Sequence, residues 1–291
     1  MSLKLACRLD LPFRRPVPSS SLATTFPSGA RPHDRKHAAK YGKRCRKSSG
    51  ELMTSLKPSF LSAADLEGKL ANWTAALGIE TDSEPEVHAP ALLVLDMQNE
   101  FLRADGQLPV WGGPAVVPRV KALAETFRAT GHPVVFTRHV CIEPFAHAGK
   151  IGTMSAIRDP ASFLHPDSPV TDIDSDLRPA PGEHVITKYR YSAFYGSPLD
   201  TILRVAGVRE VVITGVATNI CCEATAHDAF FRSFDVLFAV DGTGGIDEAS
   251  HLATLRTIQT AYGKLVTTGQ VHKALGRISL QALGTHEGSK A

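Results

Sequence analysis

The sequence predicts an α/β protein built on a doubly wound, mostly parallel sheet of six strands with helices on both faces. From residue 88 onward, short apolar runs alternate with helix-like segments, and this alternation is typical of parallel sheets. The first run, PALLVLDM at 90–97, is almost continuously apolar, as expected for a strand covered on both faces. No internal repeat is found, so residues 88–291 are predicted to form one three-layer domain.

The alternation can be followed in order along the chain. Strands are predicted at 90–97, 132–139, 184–188, 210–215, 235–241 and 264–268. Helices are predicted at 119–131, 198–207 and 247–263, and another begins near Thr218 after the fourth strand. The first of these helices stops at a glycine, which is a common helix terminator. A long polar loop is predicted over about 141–182, between the second and third strands.

The N-terminal part differs from the rest in charge. Residues 1–50 carry 12 Lys and Arg against 2 Asp and Glu, a net charge of +10. Residues 51–291 carry 20 against 27, a net charge of −7, so the basic isoelectric point comes from the tail. Residues 1–52 are predicted to form a disordered leader, because a Pro-, Ser- and Arg-rich segment buries too little apolar surface to offset its ordering entropy.

The sequence leaves three roles open for this leader. They are a transit peptide, a basic arm for nucleic acid, and a segment of no function, which is either a dispensable leader or a start assigned too early, with Met53 as the true start. We favour the last and predict no nucleic-acid partner. Residues 53–87 are predicted as a helical extension with a helix at 59–78 that Ser62 caps. Its apolar face holds Leu66, Leu70 and Trp73.

Cysteine usage and hydropathy bear on the cellular compartment. The five cysteines are an odd number at irregular spacing, and they form no C-x-x-C or zinc-type pattern. A reducing compartment is therefore expected, and we predict a cytoplasmic protein. No apolar run approaches the roughly 20 residues that span a bilayer, so no membrane partner is predicted.

Reactive side chains lie at the ends of three predicted strands. Asp96 ends the first strand, Lys188 ends the third, and Cys221 and Cys222 follow the fourth by one short turn. Ligands of open parallel sheets bind outside the carboxyl ends of the strands, so an acid, a cation and a thiol are expected at one edge. Singly, each has another explanation: a capping Asp, a solvated Lys or a buried Cys. Together they favour a nucleophile with its base and an electrostatic partner.

The two adjacent cysteines lie in the first turn of a predicted helix, near Thr218. The positive end of the helix dipole is expected to lower the pKa of a thiol at this position. Helical spacing separates the two side chains by about 100°, so they point in different directions. Cys221 is the favoured nucleophile, and Cys222 is expected to pack beneath the helix or the sheet. The predicted core face of the helix contains Ile220, Ala224, His227 and Phe231.

Three segments together resemble the isochorismatase-like cysteine hydrolases, and most closely the ureido- and carbamoyl-type amidohydrolases of that superfamily. The segments are VLDMQNEFL, ITKYRYSAFYGSPLDTILRVAGV and VVITGVATNICCEATAHDAFFRSFDV, and the resemblance covers about residues 88–275. It implies that Asp96, Lys188 and Cys221 form the catalytic set. It also implies a cis peptide bond between Val216 and Ala217, with the N–H groups of Ala217 and Cys221 directed at a developing oxyanion.

The resemblance implies a mechanism and a class of reaction. Asp96 takes the proton of Cys221, Lys188 stabilises the charged pair, and the thiolate attacks a carbonyl carbon to give a thioester that water hydrolyses. We therefore expect a small-molecule amide or ureido substrate. Two other functions stay open, an isochorismatase-type ether hydrolase and a catalytically idle scaffold. The cysteine favours amide chemistry, since isochorismatases proper lack it, and the family implies a homodimer or homotetramer.

Departures from related nicotinamidases bear on metal binding. Those enzymes bind a metal through an Asp-x-His after the second strand and a further His, whereas Thr137 stands here where the Asp is expected. His139 and His147 remain, but without the acid they form a poor site. We predict that the protein binds no metal and uses no cofactor, and that nicotinamide is not its substrate.

Five further side chains are predicted to contact the substrate. Arg138, at the end of the second strand, either binds a substrate carboxylate or forms a structural ion pair. The other four occur in the motifs that carry the resemblance, and packing is the alternative role for the aromatic ones: Tyr191, Phe194, Tyr195 and Asn219.

Overall fold

The computed structural model describes residues 61–141 and 163–287, with side chains to residue 277, and the predicted fold class is confirmed. The predicted leader at 1–52 and the middle of the predicted 141–182 loop lie outside the described residues. The strands are β1 (Pro90–Leu95), β2 (Val134–His139), β3 (His184–Lys188), β4 (Glu210–Val216), β5 (Asp235–Gly244) and β6 (Lys264–Val266). The helices are α1 (Ala63–Leu77), α2 (Asn99–Leu102), α3 (Gly113–Ala129), α4 (Leu199–Val205), α5 (Glu223–Phe231), α6 (Glu248–Ala261) and α7 (Thr268–Glu287).

The six strands form one sheet in the order β3-β2-β1-β4-β5-β6, and every neighbouring pair is parallel. The chain therefore places β2 and then β3 on one side of β1, and it places β4, β5 and β6 in order on the other side. Parallel sheets of this kind bind ligands at the point where the strand order reverses. Here that point is the crevice between the carboxyl ends of β1 and β4.

Helices cover both faces of the sheet. Helices α3 and α7 pack on each other and on β5, and α5 and α6 form a second group that also packs on β5. All six residues of β1 are buried, which explains why PALLVL contains no polar residue. Among the described residues, no helix combines the length and the apolar character needed to cross a bilayer.

Helix α1 agrees with its prediction in cap and buried face, and it begins at Ala63, four positions after the predicted start of 59. The Ser62 side chain accepts a hydrogen bond from the Asp65 backbone, and the Asp65 carboxylate accepts one in return from the Ser62 backbone. This reciprocal arrangement satisfies two backbone N–H groups that a helix start leaves free. Leu66 and Trp73 are buried, and Leu70 is partly buried against the core.

The predicted core face of α5 is wrong. Phe231 is 69% exposed, and Ala224 and His227 are only partly buried. The buried face instead follows Cys222, Ala226 and Ala229, which keep the spacing of four and three residues but start two positions later. Small residues occupy this face because the helix lies close to the sheet, so the large aromatic residue points outward.

The structure also differs from the prediction at helices α3 and α7. Helix α3 begins at Gly113, six positions before the predicted start, and contains Pro118 in its interior. An interior proline normally opposes a helix, so the sequence gives little sign of this earlier start. Helix α7 was not predicted. Its first residue, Thr268, is capped by Asp241, whose carboxylate accepts hydrogen bonds from the Thr268 backbone and hydroxyl, and such a distant cap leaves no local sequence pattern.

Candidate active site

Asp96 directly follows β1 at the reversal point of the sheet. Its backbone adopts a left-handed conformation with φ of 49°, which is uncommon for a residue other than glycine. The Thr137 hydroxyl donates a 2.7 Å hydrogen bond to Oδ1, and the Asp96 backbone N–H donates to that hydroxyl at 3.1 Å. Thr137 on β2 therefore fixes the direction of a carboxylate that is fully buried.

Lys188, the last residue of β3, links the acid to the thiol. Its Nζ lies 2.7 Å from Oδ2 of Asp96 and donates hydrogen bonds to Cys221 Sγ at 3.4 Å and to the Arg190 carbonyl at 2.9 Å. Burial acts to lower the pKa of Lys188, but the Asp96 carboxylate and the Cys221 sulfur together raise it above its usual value. The ammonium is therefore retained although the side chain is buried.

Cys221 lies in a single π-helical turn, Thr218–Cys222, that joins β4 to α5. Such wide turns occur frequently at functional sites. The thiol is 6% exposed, and burial, with an added contribution from Asp96, raises its pKa to about 12 against the opposing effect of Lys188. The predicted lowering of this pKa by the helix dipole is therefore wrong, because desolvation of the thiolate outweighs the nearby positive charge.

Cys222 points the other way, into the core, as the sequence predicted. It is fully buried among the apolar residues of the main core. Burial raises the pKa of its thiol well above the usual value. Cys222 therefore behaves as a small apolar side chain.

The turn Thr218–Cys222, called the nucleophile turn here because it carries the predicted nucleophile, follows backbone that is tightly fitted to β1. Gly215 has φ of 108°, and a Cβ at this position would lie 2.1 Å from the Leu95 carbonyl oxygen. Only glycine therefore allows β4 to approach the end of β1 this closely. One residue further along, the Val216–Ala217 peptide bond is cis, and Thr218 then begins the π-helical turn. This fit brings Cys221 next to Asp96.

A cavity of about 190 Å³ opens over the acid and the thiol. Its polar side chains are those of Asp96, His139 and Cys221, with Tyr191 at one side. The rest of the described lining is mostly apolar and consists of Phe101, Leu108, Pro109, Val110, Phe163, Leu164, Val216, Ala217, Ile220 and Ile246. A larger cavity of about 230 Å³ lies beside α1, but its lining contains neither Asp96 nor Cys221. The smaller cavity is therefore the candidate active site.

The other predicted substrate contacts lie outside this lining. Phe194 is 4% exposed and stacks on Phe234, so it is a packing residue, and Tyr195 is 64% exposed. Arg138 is absent from the lining because side chains alternate along a strand, and its neighbours Thr137 and His139 occupy the face toward Asp96. Asn219 is partly buried in the nucleophile turn but does not line the cavity. Of the five, the structure brings only Tyr191 to the site.

The arrangement fits a metal ion poorly. Asp96, His139 and Cys221 each place one potential ligand atom within 4.8 Å of the others. The Lys188 ammonium, however, already lies 2.7 Å from Asp96 and 3.4 Å from the sulfur, so a cation bound there would meet a buried positive charge. His147, the other candidate ligand, lies outside the described residues. The prediction that no metal is bound remains a prediction.

Comparison with known sequences identifies related proteins. The sequence model of a family described as "Isochorismatase domain" matches residues 90–270. Ureidoacrylate amidohydrolase RutB from Methylobacterium radiotolerans is 31% identical over 223 residues, which are 68% of this chain and 86% of that protein. Nicotinamidase 3 from Arabidopsis thaliana is 32% identical over 195 residues, 66% of this chain and 91% of that protein.

Solved structures of related proteins are similar to this chain in fold. A cysteine hydrolase from Pseudomonas syringae pv. phaseolicola has a TM-score of 0.60 and 25% identity, covering 67% of this chain and 99% of its own. N-carbamoylsarcosine amidase from Thermoplasma acidophilum has a TM-score of 0.53 and 29% identity, covering 62% of this chain and 96% of its own. The family match at residues 90–270 contains all six strands and the strand ends that carry the candidate site.

Proposed function

The chain belongs to the isochorismatase family, and from this membership and its site we propose that it is a cysteine amidohydrolase acting on a small amide, ureido or carbamoyl compound. The observation that carries the proposal is the contact of three buried groups: Lys188 Nζ lies 2.7 Å from Asp96 Oδ2 and 3.4 Å from Cys221 Sγ. All three come from different strand ends, and Asp96 and Cys221 line one cavity while Lys188 contacts both of them. A nucleophile, a base and a cation in this arrangement suit acyl transfer.

The proposed first step forms a thioester. Cys221 is a neutral thiol at rest, so its proton passes to Asp96 as the sulfur attacks the substrate carbonyl carbon. Lys188 compensates the negative charge that moves between the carboxylate and the sulfur. The carbonyl oxygen gains charge and accepts backbone hydrogen bonds from Ala217 and Cys221, whose residues both line the cavity. Asp96 then gives its proton to the nitrogen, and the C–N bond breaks.

The proposed second step releases the product. Loss of the amine or ammonia leaves Asp96 as a carboxylate beside the thioester. It accepts a proton from a water molecule, and the resulting hydroxide equivalent attacks the acyl carbon. The C–S bond breaks, the proton returns to the sulfur, and the resting thiol is restored. The ion pair with Lys188 keeps Asp96 available as the base in both steps.

Similarity to named enzymes supports the same class of reaction. The related proteins are named as a ureidoacrylate amidohydrolase, a nicotinamidase and an N-carbamoylsarcosine amidase, and each name denotes cleavage of an amide-type C–N bond. The volume of the cavity, about 190 Å³, suits a small molecule. We therefore propose hydrolysis of a small amide or carbamoyl group and leave the acyl part to experiment.

The adjacent cysteines allow a matched test of the proposal. Ammonia release is measured with acetamide, butyramide, N-carbamoylglycine, biuret, ureidoacrylate and nicotinamide, using the wild type, Cys221→Ala and Cys222→Ala. We expect turnover of at least one compound, and a loss on the order of 10⁴-fold or more in Cys221→Ala because no covalent route remains. Cys222→Ala removes a sulfur one residue away and is expected to retain most activity. Turnover that survives Cys221→Ala would refute the proposed nucleophile, and no turnover of any compound would favour an idle family member.

A further inference from the structure

His139 is the third polar side chain of the cavity, and the steps described above do not use it. It is the last residue of β2, on the same strand face as Thr137. One of its ring nitrogens lies within 4.8 Å of both an Asp96 carboxylate oxygen and Cys221 Sγ. A group attached to the carbonyl carbon under attack by Cys221 therefore falls within reach of this ring.

The surroundings hold His139 firmly in place. The Gln98 side chain accepts a 2.7 Å hydrogen bond from the His139 backbone N–H and donates one to its carbonyl at 3.0 Å. The imidazole meets the Tyr191 ring edge to face, with centroids 6.5 Å apart and an interplanar angle of 83°. The peptide group of His139 is therefore fixed, and its imidazole packs against an aromatic neighbour.

The imidazole has unused hydrogen-bonding capacity. His139 is 3% exposed, and its Nε2 has no hydrogen-bond partner among the residues that the structure describes. Burial and the neighbouring Lys188 ammonium lower the pKa of the ring to about 3, so the ring is neutral and carries one N–H and one lone pair. A buried polar nitrogen without a partner is unfavourable, and in this position a substrate can supply the partner.

We propose that His139 binds the nitrogen of the scissile amide, so that the preferred substrates have an N–H on the leaving group, as primary amides and unsubstituted carbamoyl groups do. This inference rests on the proposed function. The substrate N–H donates to the lone pair of the neutral ring. Its nitrogen is then held beside Asp96, from which it receives the proton as the C–N bond breaks. His139 neither gains nor loses a proton in this step, so its role is to bind and orient the substrate.

The test compares leaving groups with and without an N–H. The screened compound with the highest turnover is assayed beside the methyl ester of the same acid, for the wild type, His139→Phe and His139→Gln. His139→Phe keeps an aromatic ring against Tyr191 but removes both nitrogens, and His139→Gln retains a hydrogen-bonding group. We expect His139→Phe to lower kcat/KM about 10-fold for the amide and less than about 2-fold for the ester, with most of the loss restored in His139→Gln.

A second histidine provides the matched control. His227 stacks on Tyr262 at 3.9 Å between ring centroids and lies outside the cavity lining, so His227→Phe is expected to leave both rates unchanged. Thermal unfolding of each variant identifies any loss of folded protein.

Three results would overturn the role of His139. They are equal losses on amide and ester, no loss on either, and accumulation of an acyl-enzyme in His139→Phe, which would place the histidine on the attacking water. If amide turnover is absent, or survives Cys221→Ala, then the proposed function itself fails and this inference fails with it. Cys221-dependent turnover with no amide-selective effect would remove this inference alone.

Discussion

The reactivity of Cys221 depends on the proton that its sulfur carries at rest. Burial raises the pKa of the thiol to about 12, whereas Lys188, which favours the thiolate, only partly offsets it. The resting pair in this site is therefore the Lys188–Asp96 ion pair, with a neutral thiol beside it. In the proposed mechanism the thiolate forms only while the sulfur is bonding to carbon, so a base in contact is required.

A neutral Cys221 thiol predicts how the rate of alkylation of the free protein depends on pH. The rate of iodoacetamide addition to Cys221, followed by mass spectrometry of its peptide, is expected to rise with pH up to pH 10 without reaching a plateau, because burial keeps the pKa of the thiol near 12. Cys222→Ala, carried through the same series, shows whether any of the label falls on the neighbouring sulfur. A plateau with a midpoint below pH 8 would mean that the thiolate is already stable at rest.

The ion pair between Asp96 and Lys188 makes a second prediction. Both side chains are buried, and removing one partner of a buried pair costs about 3–5 kcal/mol because a bare charge is left behind. Lys188→Met is therefore expected to lower the free energy of unfolding by that amount in urea titration and to abolish activity.

Removal of both charges supplies the control. Asp96→Asn combined with Lys188→Met is expected to recover most of the stability, while activity stays absent because the base is gone. If the double variant is no more stable than Lys188→Met, the two charges are not compensating each other in the folded protein.

Individual residues differ in how far the sequence could predict them. Asp96, Lys188 and Cys221 were predicted because each follows a strand and each belongs to a motif of the family. The direction of the pKa shift of Cys221 was not predicted correctly. A sequence indicates where a helix starts, but it does not show how deeply a side chain is buried. Arg138 was predicted to contact the substrate, and His139 was considered only as a metal ligand. Adjacent strand residues point to opposite faces, and the Thr137–Asp96 contact in the structure shows which face is which.

Helix α1 is connected to the nucleophile turn through α6. The Trp73 ring lies against the His251 imidazole with centroids 4.7 Å apart, and its Nε1 donates to Glu248 at 2.8 Å. His251 Nδ1 in turn lies 2.9 Å from the Thr218 hydroxyl. Thr218 starts the π-helical turn that carries Cys221. The N-terminal extension therefore supports the active site without lining its cavity.

Thr218→Val tests this connection with little change in shape. Thr218 is fully buried, so losing its hydroxyl leaves His251 without that partner and is expected to cost about 1–3 kcal/mol of stability. We also expect a lower kcat with KM little changed, because the turn shifts but the cavity lining does not. Thr257→Val is the matched control on the exposed side of α6, where the hydroxyl donates to the Ala253 carbonyl. Equal kinetics in the two variants would show that Thr218 does not position the turn.

Helices and strands were predicted correctly where the sequence pattern that defines them lies within or next to the element itself. The six strands and α1 have the apolar patterns and caps that define them. Helix α7 depends on Asp241, 27 residues earlier, for its cap, and the outward turn of Phe231 depends on how closely α5 lies to the sheet. Both features depend on packing between segments that are distant in the sequence, so a short stretch of sequence cannot predict them.

At the scale of the whole molecule, two buried, neutral histidines among the described residues tie stability to pH. Burial lowers the pKa of His139 to about 3 and that of His251 to about 4, against about 6.5 in an unfolded chain. As pH falls below 6.5, the unfolded state binds protons that the folded state does not. The free energy of unfolding therefore decreases, by about 1.4 kcal/mol per pH unit for each histidine.

Chemical denaturation between pH 4.5 and 6 measures this dependence. Other groups contribute to the slope, so the comparison is with His251→Phe, in which one of the two histidines is gone. We expect its slope to be smaller by about 1.4 kcal/mol per pH unit, whatever its absolute stability. An unchanged slope would mean that His251 is protonated in the folded protein.

The topology explains why three separated residues meet. The order β3-β2-β1-β4-β5-β6 reverses between β1 and β4, so Asp96 and the nucleophile turn lie on either side of one crevice, and β3 supplies Lys188 two strands away. The sequence predicted the convergence from strand ends alone. The strand order, and therefore the location of the crevice, came only from the structure.

The central claim, covalent catalysis by Cys221, is tested most directly by trapping its intermediate. The enzyme is mixed with a turned-over substrate, quenched in acid within milliseconds, digested and analysed by mass spectrometry. We predict that the peptide containing both cysteines gains the mass of the acyl group, and that fragmentation places it on Cys221. The same adduct is expected in Cys222→Ala and not in Cys221→Ala. An acyl group on Cys222, or ammonia release with no acyl group on either cysteine, would contradict the claim.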